Sequence, residues 1–162
     1  MAVDAITGQP IFRGSTSVGL RNVGSYQVSG QPFITGSENL DAGTVHLVQF
    51  DKVAKSFTVI NNNSNSGEDI RVHFNSGSGV TAVTVPGDAG KQTIAAGADV
   101  YSGFHYVTIP AGNGSMTFDV KCNKFYISNP PGATDNLKYQ VLAELTNIPS
   151  SRMYHLTGSG IT

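Results

Sequence analysis

The chain has 162 residues, 39% hydrophobic and only 13% charged, with a net charge of −1 and one cysteine. That length suits a single domain with one core, and the charged fraction is about half of the usual ~25%. No basic cluster offers a footprint for nucleic acid or an anionic membrane, and a lone cysteine excludes an internal disulfide framework.

Glycine returns through the first 43 residues at Gly8, Gly14, Gly19, Gly24, Gly30, Gly36 and Gly43. The pieces between are too short for an amphipathic helix or a strand of core length, and glycine loses the most backbone entropy on ordering. Yet the segment carries Ile6, Ile11, Phe12, Val18, Leu20, Val23, Tyr26, Val28, Phe33 and Ile34 against five charged residues. Disordered tails have the opposite composition. The segment therefore reads as an extended arm, residues 1–43, that gains order by lying on a neighbour. Its start lacks the basic-then-apolar pattern of a signal peptide, and no apolar run approaches the ~20 residues of a membrane span, so synthesis in a cytoplasm is expected.

From Thr44 the pattern changes to short β-type runs. Thr44–Phe50 alternates, with Val45, Leu47 and Gln49 on one face and His46, Val48 and Phe50 on the other. Val53–Asn61 sets Phe57 and Val59 against Thr58 and Ile60. Ile70–Asn75 places Ile70, Val72 and Phe74 opposite Arg71 and His73, the alternation of a half-buried strand. Val80–Val85, Thr93–Ala95 and Phe104–Ile109 are shorter candidates, and Ser115–Lys121 with Asn123–Ser128 reads as one long bent strand. Asn/Ser/Gly and Pro/Gly clusters punctuate these runs, such as Asn61–Gly67, Pro110–Gly114 and Pro130–Gly132. In the last run, Leu137, Val141 and Leu145 also fit a helix from about Asp135 to Asn147. Tyr139, Val141, Ala143 and Leu145 alternate with Lys138, Gln140 and Glu144, and strand is favoured because every neighbour is β. About eight strands at this spacing predict an all-β fold: a single β-sandwich, jelly-roll or Ig-like, over residues 44–148. Residues 149–162 form a short C-terminal extension that repeats the style of the arm with Met153, Tyr154 and Leu156.

Candidate chemistry is sparse. His46, His73, His105 and His155 have no metal-ligand partner within their own elements, although His46 and His73 could face one another on adjacent strands. Glu68-Asp69 after an Asn/Ser-rich loop could offer oxygens to calcium, but the regular calcium-loop spacing is missing, and a solvated turn explains it. Gly87–Thr93 lacks the first glycine of a phosphate-binding loop and has Gln92 where Ser or Thr should follow the lysine, which leaves a hairpin turn. No nucleophile elbow can be placed. Cys122, between Val120 and Phe125, reads as a small buried thiol. Tyr101, Phe104, Tyr106 and Tyr126 are candidates for a carbohydrate-binding surface, weakened by the absence of tryptophan. No catalytic, cofactor-binding or metal-binding residue is assigned, and no cofactor is expected.

The stretch Val18–Ser37, VGLRNVGSYQVSGQPFITGS, and the ending Ser151–Thr162, SRMYHLTGSGIT, resemble segments of small virion proteins of tailed bacteriophages. The β domain between them is similar in architecture to the sandwich domains of capsid cement or decoration proteins. The resemblance implies a non-enzymatic protein on the capsid surface that binds the major capsid protein, often as a homotrimer, and reinforces the shell; it transfers no catalytic residue. Leu20, Tyr26, Phe33 and Ile34 in the arm, with Met153 and Tyr154 at the other end, are the expected contacts with neighbouring subunits. Residues 1–36 should then be dispensable for folding. Two alternatives remain: a tail, baseplate or host-glycan-binding component, and a small cupin-like metalloenzyme, which would need inward-facing histidines and carboxylates.

Overall fold

A computed structural model describes residues 28–75, 82–84, 91–95, 104–129 and 136–154. The regular structure of the described residues is strand apart from one 3-10 turn, and they contain no α-helix. Nine antiparallel strands join in one sheet: β1 (Val28–Leu40), β2 (Thr44–Asn61), β3 (Ile70–His73), β4 (Ala82–Thr84), β5 (Lys91–Ala95), β6 (Val107–Ile109), β7 (Ser115–Phe118), β8 (Cys122–Ser128) and β9 (Leu137–Pro149). A 3-10 turn, Ser150–Arg152, follows β9.

The 18-residue strand β2 organises the sheet. Its first half pairs with β8 from Val45↔Ser128 to Gln49↔Lys124 and, on the other side, with β5 from Thr44↔Ala95 to Val48↔Lys91. Its second half pairs with β9 from Ser56↔Glu144 to Asn61↔Tyr139 and with β7 from Phe57↔Phe118 to Ile60↔Ser115. Two wings therefore share one strand. The first is β1-β9-β2-β7, and the second is β4-β5-β2-β8-β3-β6.

A bulge between the halves lets both wings face one core. Pairing with β8 jumps from Gln49↔Lys124 to Ala54↔Cys122, and pairing with β9 slips between Lys52 and Ser56. Before the bulge the buried core positions are even-numbered, Val48 and Phe50; after it they are odd, Phe57 and Val59. Without the extra residues, the period of two would turn the second half of the strand inside out. β7 and β8 run along the same side of β2, so the predicted long bent strand is present with a break at residues 119–121.

The core joins Leu40, Leu137, Tyr139, Val141 and Ala143 of the first wing to Ile70, Val72, Ile109, Phe125 and Ile127 of the second. A chain of aromatic rings runs through it: Phe33 against Phe50 at 5.0 Å, Phe50 against Phe125 at 5.9 Å, Phe125 stacked on Phe57 at 4.0 Å, and Phe57 stacked on Phe118 at 4.9 Å. The His46 Nδ1 and the Tyr139 hydroxyl, 2.9 Å apart, form a hydrogen bond between the wings.

The last run is the strand that the alternation favours: its buried and exposed residues alternate from Leu137 to Glu144, which rules out the helix. Two expectations change. The arm does not extend to residue 43: Val28–Leu40 is a strand of the protein's own sheet, in register with β9 from Val28↔Thr146 to Leu40↔Leu137. It tolerates Pro32 because it lies at the sheet edge, where one side of the backbone needs no partner. At Gly36 a Cβ would stand 2.7 Å from the Tyr139 carbonyl oxygen, so the close approach of the two strands requires glycine there. Finally, β3 is not half-buried, because His73 is covered on the face opposite Ile70 and Val72.

Candidate interaction surfaces

The groups that could carry chemistry are held in structural roles. His46 lies on the core face of the second wing, since it pairs with Ile127, whereas His73 pairs with Tyr126 on the opposite face. The two histidines do not face one another. The His73 ring stacks on Tyr126, 5.5 Å away and 12° from parallel, and its Nδ1 bonds the Asn75 carbonyl. Burial lowers its pKa to about 4, opposed in part by that carbonyl contact. The Nδ1 proton is therefore donated to Asn75, and the buried Nε2 stands without a partner. Burial likewise pushes the Cys122 thiol up to about 12, against the backbone hydrogen bond at Lys124, which leaves no thiolate at neutral pH.

The Asn-rich loop holds the first wing to the second. The Asn61 amide nitrogen donates to the carbonyls of Glu68 (2.9 Å) and Ile109 (3.0 Å), while its oxygen accepts from the Asn63 backbone (3.0 Å) and side chain (2.6 Å). The Asn63 side chain in turn bonds both backbone groups of Lys138. Glu68 accepts from the side chain and backbone of Asn65, and Asp69 accepts from the Ala111 N–H at 3.0 Å. Those carboxylates close turns, and the described residues contain no cluster of three metal-ligating side chains. Sequence reading had not found the Asn61 hub; the only signal was the run of four asparagines within five residues beside a strand end.

A polar cleft of about 480 Å³ opens where β1 and β9 separate, lined by Ser37, Glu38, Asn39, Asn62, Lys138 and Gln140. A small aromatic prominence stands on the second wing. Phe104 is 78% exposed, with its ring 6.0 Å from Tyr106, and the Arg71 guanidinium lies 4.3 Å over the Tyr106 ring. Phe104 has φ +53°, a conformation in which a bulky side chain is strained. Tyr126 is buried and cannot belong to such a surface, and Tyr101 lies outside the described residues.

The six residues expected to touch partners are scattered. Leu20 and Tyr26 lie outside the described residues. Phe33 points inward and packs its ring edge on Phe50, which makes it part of the protein's own core. Its neighbour Ile34 points out and is 70% exposed. Met153 is half-buried and Tyr154 is 61% exposed, just past the 3-10 turn. Because Val28 pairs with Thr146, and β9 ends at Pro149, the chain enters β1 and leaves β9 at the same end of that ribbon.

The first wing also presents an outward face, on the side away from the core. Three rows cross it in register: Pro32, Glu144 and Ser56; Ile34, Leu142, Thr58 and Thr117; then Gly36, Gln140, Ile60 and Ser115. The middle row is apolar at one end, with Leu142 43% exposed, and closes at the other with a 2.8 Å hydrogen bond between the Thr58 and Thr117 hydroxyls. The only charge within the three rows is Glu144, which accepts from Ser56 at 3.2 Å and lies 3.8 Å from Lys55.

Comparison with known proteins returns no matching family model, no matching curated protein and no matching solved structure.

Proposed function

We propose that this chain is a structural virion protein, a capsid cement or decoration protein that is made in the host cytoplasm and binds the outer shell through the major capsid protein. It acts by binding and not by catalysis. The observation that carries the reading is that strand β1 starts and strand β9 ends at the same end of their ribbon, with Val28 paired to Thr146 and β9 closing at Pro149. A grip on adjacent shell subunits would start from that end. The scarcity of charge over the outer face supports the same reading, since a surface meant to be covered gains little from solvated side chains.

The test is co-sedimentation of the purified protein with shells of the same phage that lack it, with isolated tails in parallel. Saturable binding at a fixed ratio to the major capsid subunit is expected, and that ratio also tests the trimer implied by the resemblance. Removing residues 1–27 should abolish binding while a thermal melt still reports a folded domain. A truncated protein that saturates shells refutes the reading. The boundary matters: a deletion to residue 36 would remove most of strand β1 and confound folding with binding.

Host-glycan recognition by a tail or baseplate component is the second reading. It draws on the strained, exposed Phe104 beside Tyr106, because a fixed aromatic face is what stacks on a sugar ring. It requires saccharide binding by the full chain, with loss in Phe104→Ala.

A further inference from the structure

The outer face of the first wing is self-complementary in size and in charge. Along β9 the exposed side chains run Lys138, Gln140, Leu142, Glu144, so a two-fold axis at the level of Val141, lying between two stacked faces and perpendicular to the strands, exchanges the ends. It sets each Lys138 opposite the second copy's Glu144. The same operation lays the row Ile34, Leu142, Thr58, Thr117 over the row Gly36, Gln140, Ile60, Ser115 of the other molecule. Ile34, the most prominent apolar side chain of the face, then meets Gly36, which has no side chain, and the branched Ile60 meets the shorter Thr58.

We propose that two copies of this chain associate face to face through the outer surface of β1-β9-β2-β7, with Ile34 and Leu142 at the centre and reciprocal Lys138–Glu144 pairs at the rim. An isologous contact of this kind uses one patch twice, and it closes at two copies. The strands present roughly 500 Å² in projection, taking ~4.8 Å between strands and ~3.4 Å per residue. Two such faces bury about 1,000 Å² together, short of the ~1,200 Å² at which stable interfaces begin and in the range of weak, transient ones, so the dimer dissociates on dilution and is not permanent. Stacked sheets pack ~10 Å apart, a separation that isoleucine and leucine side chains from the two faces can fill. Lys138 is anchored by its backbone to Asn63, so its position is fixed while its side chain is available to the rim. The same axis sets Glu38, which lines the cleft beside Lys138, at the level of the second copy's Pro32, so no charge lies directly opposite it.

Sedimentation velocity of the full-length protein over a dilution series tests this. The wild type should pass from dimer to monomer within the series. Ile34→Lys should be monomeric throughout, and Lys138→Glu and Glu144→Lys should each weaken the dimer at least tenfold. The double variant Lys138→Glu/Glu144→Lys should recover most of that loss, which no general effect on folding would produce. A wild type that stays monomeric, an assembly of any size indifferent to Ile34→Lys, or a double variant no better than its parents would each overturn the proposal.

Discussion

Phe57 is the side chain through which the two wings are joined most directly, and its removal gives a quantitative test of the architecture. It sits just past the bulge in β2, buried, with Phe125 of the second wing stacked on one side at 4.0 Å and Phe118 of the first stacked at 4.9 Å. Phe74 touches its edge at 6.2 Å. A buried Phe→Ala change costs about 3–5 kcal/mol from transfer and the cavity left behind. Each aromatic pair contributes about 0.5–1.5 kcal/mol beyond its area, and Phe57→Ala loses two stacked pairs, so the upper part of that range applies, roughly 4–5 kcal/mol. In a domain of this size each kcal/mol moves Tm by about 2–4 °C, which places the melting point about 8–20 °C lower. Thermal unfolding followed by near-ultraviolet circular dichroism, with Phe104→Ala as the exposed control, measures it. The control should change stability by less than about 0.5 kcal/mol. A loss below about 1.5 kcal/mol for Phe57→Ala, or one equal to the control, would refute the shared core.

Asn61→Ala removes a fully buried amide that makes four hydrogen bonds and leaves the Asn63 N–H and the Ile109 carbonyl unpaired; about 2–4 kcal/mol should be lost in urea unfolding, against much less for Asn65→Ala on the exposed side of the loop. His73 is held neutral in the folded state, with its pKa lowered to about 4 from 6.5, so the unfolded chain binds the proton first as pH falls. That contribution is complete above pH 6.5 and is lost progressively down to about pH 4, amounting to about 3 kcal/mol; His73→Phe, which keeps the stack on Tyr126, should flatten this part of the stability–pH profile. Cys122 is buried with its thiol pushed up to about 12, so a thiol reagent at pH 8 should leave the native protein unlabelled and modify one cysteine after denaturation. Fast labelling of the native protein would contradict the burial.

The sequence made the β class and most strands legible because period-two alternation survives wherever only one face is buried. Lys138–Thr146 shows this, since its charged and polar residues mark one face even where a four-residue spacing suggests a helix. The first half of β2 was legible as alternating although Val45 to Val48 are all buried. Its alternate residues enter different environments: Val45 and Leu47 cluster with Tyr126, while Val48 joins the main core. β1 was missed because Gly30, Pro32 and Gly36 look like breakers, and nothing local says that the segment will lie at an edge beside β9. The facing of His46 and His73 failed for a similar reason. Which face each takes depends on its register with β8, a contact distant in sequence. The Phe104 conformation, with φ +53°, was invisible in a run that read as strand.

Phe33 and Ile34 show how one edge strand can serve both the core and an assembly. Adjacent residues on a strand point to opposite faces. Phe33 extends the chain of rings by packing on Phe50, which holds β1 to the core even though one of its edges is unpaired. Ile34 uses the same backbone to present an aliphatic side chain outward, in register with Leu142. Fixing an exposed side chain on a rigid strand removes most of the ordering cost that a flexible contact residue brings to association. With a net charge of −1 there is little long-range attraction to guide an encounter, so recognition must come from shape at short range. A sparsely charged sheet face with one projecting isoleucine and a glycine two residues away meets that requirement.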